Sequence, residues 1–285
     1  MTIAEIESIY VDQLPPMYDR EEAKSIAQLA VQFVCNQSKS YVMLHKGHDL
    51  TLQEETSLIR ILDELRFGKP LQYVLGEADF YGMRFKVNAN VLIPRPETEE
   101  LVFWVLDCVK EGKQRALNII DLGTGTGCIP IAIKKNLPGA EVCACDISQE
   151  AVDIAVQNAV LNQAEVHFFQ ADILKESFTL LPLTFDFIIS NPPYIAENEK
   201  EQMHRNVLEH EPHTALFVPN DNPLLFYKRI ADFAIKHLND KGLLFLEINE
   251  ALGKETQSML KEKGFHAEIR TDLQGKERMI KAWLN

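Results

Sequence analysis

The sequence predicts an α/β protein in which a mostly parallel sheet carries helices on both faces, preceded by a small helical domain and a β-hairpin. The main observation is that, from about residue 116 onwards, short apolar segments alternate with amphipathic ones, which is typical of successive strand–helix–strand units. The predicted strands are Ala116–Asp121, Glu141–Asp146, Val166–Gln170, Phe185–Ser190, Gly242–Ile248, Phe265–Arg270 and Arg278–Trp283. The predicted helices between them include Ser148–Leu161, Leu224–His237 and Ala251–Lys263.

The second observation is a helical pattern that comes before any strand pattern. Between Glu21 and Phe33 apolar residues recur at steps of three and four, so they share one face of a helix. Thr51 and Glu54 have the spacing of a capping box, and the stripe after them consists of Leu58, Ile61, Leu62 and Leu65. We expect this stripe to end at Gly68 and Pro70.

The third observation is a change of composition after these helices. The segment from Gln72 to Val91 is rich in aromatic and β-branched residues around Gly82, which predicts a β-hairpin. The prolines of Leu92–Pro96 favour extended chain, and acidic residues from Glu97 onwards favour the start of a helix. We therefore divide the chain into a helical domain (1–75), a hairpin linker (76–93) and a sheet domain (94–285).

Composition excludes several classes of protein. The chain has 285 residues, of which 46% are hydrophobic and 25% charged, so it can build and cover a core. Its 29 Lys and Arg against 42 Asp and Glu give a net charge of −13, which argues against tight binding to long nucleic acid. The first residues lack the basic start of a secretory signal, and no apolar run approaches a membrane span. We expect a cytoplasmic protein without a membrane partner.

Cysteine and histidine usage does not predict a metal site. The five cysteines form no C-x-x-C pair, and we expect reduced thiols, with Cys143 and Cys145 on one face of a strand in a structural role. His210 and His213 have a spacing that metal ligands can use, but Pro212 breaks the helix that would align them.

A glycine-rich loop follows the first predicted strand of the sheet. It runs Gly123, Thr124, Gly125, Thr126, Gly127 and leads into a helix from Cys128. Glycines in such a loop let a ligand approach the backbone at the carboxyl end of a strand, where open α/β sheets bind their ligands. For a dinucleotide the third glycine comes one residue early. This leaves two ligand classes in competition, dinucleotides and S-adenosylmethionine.

Acidic residues at successive strand ends favour S-adenosylmethionine. Asp146 suits the ribose hydroxyls of either ligand. Asp121, directly before the loop, is placed to receive an amino-acid ammonium group, which nicotinamide cofactors lack. Asp172, after the third strand, could accept from the adenine amino group.

The residues Asn191, Pro192, Pro193 and Tyr194 come directly after the predicted strand Phe185–Ser190. Two prolines stiffen the loop and remove N–H donors, which leaves carbonyl oxygens free as acceptors. With the Asn191 side-chain amide, these oxygens can hold both hydrogens of an NH2 group and turn its lone pair towards an electrophilic methyl group. Tyr194 can stack on the planar group that carries this nitrogen.

These motifs together resemble a class I S-adenosylmethionine-dependent methyltransferase that acts on an amino nitrogen. The segments Leu71–Gly76, Phe80–Gly82 and Ile93–Glu99 are similar to those of the peptide chain release factor glutamine methyltransferases, and the resemblance covers essentially the whole chain. It implies a seven-stranded sheet with an antiparallel last strand. It also implies a substrate glutamine in the Gly-Gly-Gln motif of bacterial release factors. We expect the helical domain to recognise this substrate and the chain to act as a monomer.

The resemblance also implies roles for individual residues. Gly123–Gly127 would bind the methionine part of the cofactor, Asp146 its ribose, and Asp172 with Ile173 would border the adenine. Asn191–Tyr194 would hold the glutamine, with Asn191 contacting both ligands. Two departures from the family are Ile173, where an aromatic residue is common, and Val218–Asn222, where glycines are common. The alternative is an amino methyltransferase of adenine or cytosine in DNA or RNA, which would need a basic surface or an added domain.

Overall fold

The computed structural model describes residues 1–14, 18–110, 117–175, 178 and 183–285. The chain forms two units, the first made of residues 1–77 with 204–210 and the second of residues 78–203 with 211–285. The helices that begin the first unit are α1 (Ile3–Gln13), α2 (Arg20–Cys35), α3 (Lys39–Leu44), α4 (Leu52–Arg66) and α5 (Leu71–Leu75).

The first unit is helical, and a side chain caps the start of each of its first four helices, α1 to α4. The capping box predicted at Thr51 is present: its hydroxyl accepts from the Glu54 N–H at 3.3 Å, and the Glu54 carboxylate accepts from the Thr51 N–H at 2.8 Å. The predicted stripe of α4 is buried, and the Tyr10 hydroxyl of α1 donates to the Leu58 carbonyl at 2.6 Å. Helix α5 corrects the prediction that the hairpin pattern starts at Gln72, because residues up to Leu75 are helical.

The second unit begins with a two-stranded sheet and continues through alternating helices and strands. Its elements are β1 (Glu77–Phe80), β2 (Met83–Lys86), α6 (Pro96–Lys110), β3 (Asn118–Leu122), α7 (Cys128–Asn136), β4 (Glu141–Asp146), α8 (Gln149–Leu161), β5 (His167–Gln170), β6 (Phe185–Ser190) and β7 (Ile195–Ala196). After α9 (Arg205–His210), which belongs to the first unit, come β8 (Phe217–Val218), α10 (Leu225–His237), β9 (Leu238–Glu247), α11 (Gly253–Glu262), β10 (His266–Thr271) and β11 (Glu277–Trp283).

The central sheet has seven strands in the order β10-β11-β9-β6-β3-β4-β5. Strands β9, β6, β3, β4 and β5 are parallel, and the last strand, β11, is antiparallel to both of its neighbours. The α/β prediction and the implied sheet topology are confirmed. The largest difference from a predicted strand boundary is at β9, which starts at Leu238 rather than Gly242, while several other boundaries differ by one or two residues. Ala116, the predicted start of the first strand, lies outside the described residues.

The sheet is covered by apolar side chains on both faces, because successive strand residues point to opposite sides. Ile119, Phe187 and Phe245 join one core with α6 and α7, while Ile120 and Ile188 join another with α10. Phe245 is fully buried and meets Trp104 and Phe187 edge to face, with ring centroids 5.8 and 5.6 Å away.

Replacing Phe245 with alanine is expected to lower the free energy of unfolding by about 3–5 kcal/mol, because the cavity left between the rings of Trp104 and Phe187 cannot close fully. Urea unfolding followed by circular dichroism measures this. Leu273→Ala is the control, since Leu273 is 93% exposed and its truncation should change stability by less than about 0.5 kcal/mol. Equal effects of the two substitutions would contradict the assignment of Phe245 to the core.

Parallel strands bring their carboxyl ends to one edge of the sheet. The loops after β3, β4 and β6 and the end of β9 therefore lie together, and the buried Ser190 hydroxyl ties β6 to β3 by donating to the Leu122 carbonyl at 2.6 Å. Cys145 is buried and Cys143 half-buried in β4, and no group of side chains suited to hold a metal ion occurs among the described residues. Within the same ranges, none of the helices has the length and apolar character needed to cross a bilayer.

Candidate functional site

A cavity of about 350 Å³ opens at the carboxyl ends of β3, β4 and β6. Its walls are formed by residues 90–95, 122–126, 146–148, 171–174 and 191–193, together with residues of α6, α7 and α10 and of the loop before β8. The structure thus brings most of the predicted site residues to one cavity. Asp121, Gly127 and Tyr194 are the predicted residues that do not line it.

The glycine loop is held to the end of β4 by its own backbone. The N–H groups of Gly123 and Thr124 both donate to the Cys145 carbonyl at 2.9 Å, and the Gly125 N–H donates to Asp146 Oδ2 at 2.9 Å. Asp146 also accepts from the Ser148 N–H at 3.0 Å. Burial raises the pKa of Asp146, although these N–H donors oppose the rise. The loop and the predicted ribose carboxylate form one hydrogen-bonded unit.

Asp121 is a buried acidic residue whose side chain lacks a hydrogen-bonding or charged partner within the described residues. It is 1% exposed beneath the loop, and neither of its oxygens has a hydrogen-bond partner within the described part of the chain. The Thr124 hydroxyl above is also buried and unpartnered. Burial raises the pKa of Asp121 to about 7; the nearby Thr124 hydroxyl opposes this rise, and the charge of Asp146 adds to it. An arriving ammonium group would supply the missing partner.

Gly127 closes the loop against α8. It has a φ of +77°, and a Cβ placed on it would lie 3.0 Å from the Ala155 Cβ and 3.2 Å from Ile131 Cδ1. Gly123 has the same φ, but a Cβ there would meet nothing within 4 Å. The two glycines therefore share the conformational requirement and differ in the space around them.

Gly127→Ala is expected to lower the free energy of unfolding by about 1–3 kcal/mol more than Gly123→Ala, because only the first adds a steric overlap to the strain of a positive φ. Thermal and urea unfolding of the two variants side by side measure the difference. Equal destabilisation by the two substitutions would rule out close packing against Ala155 as the reason for glycine at position 127.

The predicted adenine border lies on the cavity wall. Ile173 lines the cavity with an aliphatic side chain. The Asp172 carboxylate accepts from the Leu174 N–H at 2.9 Å through Oδ1. Asp172 and Ile173 line the same cavity as the glycine loop, which lies at least 45 positions earlier in the chain.

The segment after β6 contributes Asn191, Pro192 and Pro193 to the wall of the cavity. Tyr194 is turned away from it: its hydroxyl donates to Glu247 Oε1 at 3.2 Å, and its carbonyl accepts from the Asn249 side-chain amide at 3.1 Å. The ring packs among the apolar residues between the sheet and α10. Stacking of Tyr194 on a planar substrate group remains a prediction.

Sequence reasoning missed two residues that contact this segment. Thr98 of α6 lies on the cavity wall, accepts from Asn191 Nδ2 at 3.2 Å and donates to Glu247 Oε2 at 2.7 Å. Glu247, the last residue of β9, is 1% exposed. Burial raises its pKa, while the hydroxyls of Thr98 and Tyr194 and the charge of Arg278 oppose that rise. The sequence does contain a pattern that could have indicated Glu247, because it is an acidic residue at the end of an apolar strand, as Asp146 is.

A further buried acid, Glu211, fixes the loop before α6. Glu211 is 4% exposed and accepts from Arg95 Nη2 at 2.5 Å and from the Ile93 N–H at 3.3 Å. Arg95 and Ile93 both line the cavity. The ion pair therefore holds one wall of the cavity in place.

Known proteins with similar sequences match almost the whole chain. Two family models match the chain, described as "Methyltransferase small domain" over residues 105–215 and "PrmC N-terminal domain" over residues 17–76. Among curated proteins, the release factor glutamine methyltransferase of Flavobacterium psychrophilum is 41% identical, with 99% of each chain aligned. The proteins of the same name from Bacteroides thetaiotaomicron and Streptococcus pneumoniae are 38% and 37% identical, over 96% and 98% of this chain and 97% and 98% of theirs.

Solved structures share the fold at low sequence identity. The hMettl16 catalytic domain in complex with the MAT2A 3′UTR hairpin 6 has a TM-score of 0.56 at 20% identity, covering 77% of this chain and 81% of that one. A methyltransferase from Pyrococcus furiosus has a TM-score of 0.51 at 14% identity, covering 81% and 98% of the two chains. At these identities the likeness concerns the fold alone.

Proposed function

Because this chain belongs to the release factor glutamine methyltransferase family, we propose that it transfers a methyl group from S-adenosylmethionine to the side-chain amide nitrogen of a glutamine in peptide chain release factors. The glutamine is that of the Gly-Gly-Gln motif. The observation that carries the proposal is that Asn191–Pro193 and the glycine loop line one cavity at the same edge of the sheet.

The residues of the cavity fit this cofactor. The unpartnered Asp121 carboxylate would hold the ammonium group, Gly123–Gly127 would border the methionine chain, Asp146 would hold the ribose, and Asp172 with Ile173 would border the adenine. When bound, S-adenosylmethionine would supply an electrophilic methyl group on its sulfonium. An aliphatic residue at position 173 makes the adenine contact one of shape rather than of aromatic stacking.

The task of the protein is to present an amide nitrogen, which is a poor nucleophile. The Asn191 side-chain oxygen and carbonyl oxygens of the proline segment would accept both hydrogens of the glutamine NH2. This holds the nitrogen lone pair out of conjugation with the carbonyl and directs it into the cavity. Such positioning can contribute about 7–11 kcal/mol, so no side chain is required to remove a proton beforehand. The bond between methyl and sulfonium sulfur would break as the nitrogen–methyl bond forms, and the methylated nitrogen would then lose one of its protons to solvent.

We assign recognition of the release factor to the helical domain, taken as residues 1–75, with residues 76–93 as the linker and 94–285 as the methyltransferase domain. In support, the helical unit has its own buried core and exposes the large apolar side chains of Leu44, Leu52 and Phe67. The substrate class assigns the reaction to the cytoplasm, and we propose that the enzyme acts as a monomer without sequence-specific contact to nucleic acid.

Transfer of labelled methyl groups tests this function. The purified chain is incubated with labelled S-adenosylmethionine and, separately, with a release factor, its Gln-to-Glu variant at the Gly-Gly-Gln motif, DNA and RNA. We expect label only on the unmodified release factor. Label on DNA or RNA would favour the alternative, a nucleobase amino methyltransferase, and label on the Gln-to-Glu variant would exclude the proposed glutamine.

A further inference from the structure

A chain of three hydrogen bonds begins at Asn191 on the cavity wall and ends at Tyr194. The Asn191 Nδ2 lies 3.2 Å from Thr98 Oγ1, and Thr98 Oγ1 lies 2.7 Å from Glu247 Oε2. The other carboxylate oxygen of Glu247 lies 3.2 Å from the Tyr194 hydroxyl. Thr98 and Glu247 are both buried, at 3% and 1% exposed. Both belong to the same unit as Asn191.

The chemistry of these groups gives the chain a direction. Glu247 accepts on both of its oxygens, from the Thr98 hydroxyl on one and from the Tyr194 hydroxyl on the other, and a threonine hydroxyl has one hydrogen. The Thr98 hydrogen is therefore used on Glu247, and the remaining capacity of Thr98 Oγ1 is to accept. The side-chain atom of Asn191 that faces Thr98 must then be a donor, which is Nδ2 and not Oδ1.

We propose that Thr98 and Glu247 set the orientation of the Asn191 side-chain amide and thereby make the site selective for an amide over a carboxylate. With Nδ2 directed at Thr98, Oδ1 is left as the group of this side chain that a substrate can meet, and it has no hydrogen-bond partner within the described residues. Thr98 and Glu247 are positioning residues in this scheme. The inference rests on the proposed function and names what distinguishes its substrate.

Selectivity follows from the matching of donors and acceptors. A glutamine NH2 donates to Oδ1, whereas the carboxylate of a glutamate would place an acceptor against an acceptor. If the Asn191 amide turned by half a rotation, Nδ2 would face the substrate and could donate a hydrogen bond to the carboxylate. An asparagine free to rotate can satisfy both ligands, and a locked one rejects the carboxylate, since a buried polar group without a partner is costly.

Thr98→Val is the main test, because valine keeps the shape of threonine and removes its hydroxyl. The dissociation constants of the release factor and of its Gln-to-Glu variant are measured against the full-length enzyme, and their ratio reports the selectivity. Other contacts to the release factor are common to both proteins and cancel in the ratio. We expect a preference for glutamine of at least about a hundredfold in the unaltered enzyme and a reduction of that preference by about tenfold in Thr98→Val.

Three further variants separate orientation from stability. Thr98→Ser restores the hydroxyl and is expected to restore the preference. Glu247→Met removes the acceptor that sets the direction of the chain, and is expected to lower the preference as Thr98→Val does. Thr256→Val is the matched control: Thr256 is also fully buried, and its hydroxyl donates only to the Leu252 carbonyl, 2.8 Å away in the same helix region. An unchanged preference in Thr98→Val, or the same loss in Thr256→Val, would overturn the inference.

A second readout does not depend on the substrate. In the free enzyme, labelled at asparagine side-chain nitrogen and threonine methyl groups, we expect a nuclear Overhauser effect between the Asn191 NH2 hydrogens and the Thr98 methyl. Its absence would overturn the proposed orientation. If the unaltered enzyme methylates no release factor, the proposed function fails while the orientation is still judged by this measurement. If methylation occurs and selectivity is unchanged in Thr98→Val, the inference alone fails.

Discussion

Asn191→Ala is expected to lower kcat for methyl transfer to a release factor by at least about a hundredfold. The substitution removes an acceptor for the substrate NH2 from a cavity shielded by protein, where one such hydrogen bond contributes about 2.7–4 kcal/mol to the reaction. The loss should fall on kcat more than on KM, because the contact matters most when the nitrogen lone pair leaves conjugation. Steady-state kinetics with a purified release factor measures both constants.

The control for this experiment is Asn118→Ala. Asn118 is an exposed asparagine at the opposite end of β3, away from the carboxyl edge of the sheet, and we expect its replacement to change kcat by less than twofold. Cofactor affinity of Asn191→Ala is measured by calorimetry, so that a lost binding site is not mistaken for lost chemistry. Turnover near that of the unaltered enzyme, with cofactor bound, would refute the role given to Asn191.

Asp121→Asn is expected to weaken the binding of S-adenosylmethionine by a factor of about 30 to several thousand. The substitution keeps the shape of the side chain and removes the charge that would face the ligand ammonium, and losing one partner of a buried charge pair costs about 2–5 kcal/mol. Calorimetry at pH 7.5 measures the change. The control is a ligand, 5′-methylthioadenosine, which has the adenosine but no ammonium group. Its affinity should be the same for both enzymes, and equal weakening of both ligands would contradict the pairing.

The same carboxylate predicts a pH dependence. Because the pKa of Asp121 is raised to about 7 in the ligand-free protein, the group is mostly protonated at pH 5.5 and must lose its proton to pair with an ammonium ion. Affinity for S-adenosylmethionine should rise about tenfold between pH 5.5 and pH 7, with release of a proton on binding. Asp121→Asn should remove this part of the dependence. An unaltered enzyme whose affinity is constant over this range would contradict the assignment.

Folding stability depends on pH in the opposite direction to cofactor affinity: the affinity rises with pH, whereas the contribution of Asp121 to stability falls. The folded chain holds a proton on Asp121 at pH values where the unfolded chain, with a pKa near 3.8, has lost it. The contribution of this group to the free energy of unfolding therefore falls as the pH rises from about 4 to about 7. Urea unfolding of the ligand-free protein across this pH range should show that the free energy of unfolding falls less steeply with pH in Asp121→Asn than in the unaltered chain.

Local pattern predicts the parts of this fold in which local chemistry decides the structure. Strands β4 and β6 occupy the predicted residues Glu141–Asp146 and Phe185–Ser190 because each is an apolar run with turn-forming residues at its ends. Strand β9 starts earlier than predicted because Leu238 pairs with Phe185 of β6, before an irregularity in the register between Phe185 and Phe187. This pairing joins distant segments. Residues 239–241 are polar, so the local sequence does not indicate that the strand has already begun.

The candidate site likewise has parts that the local sequence predicts and parts that depend on packing between distant segments. The loop Gly123–Gly127 and the segment Asn191–Tyr194 are contiguous and carry their chemistry in their own residue types. The hydrogen bond between Thr98 and Glu247 joins residues 149 positions apart, and its existence depends on where α6 meets the end of β9. The direction in which Tyr194 points depends on the same carboxylate. Such contacts follow from packing and are absent from any local pattern.

The backbone hydrogen bonds of the glycine loop bear on which molecules the cavity excludes. Three successive N–H groups, those of Gly123, Thr124 and Gly125, are already engaged by the end of β4, and a carboxylate lies buried beneath them. A loop that cradles pyrophosphate does the reverse, because it leaves its N–H groups free to meet negative charge. We therefore expect the loop to bind pyrophosphate poorly, so that ATP and NAD compete weakly for the cavity although they share an adenosine with the proposed cofactor.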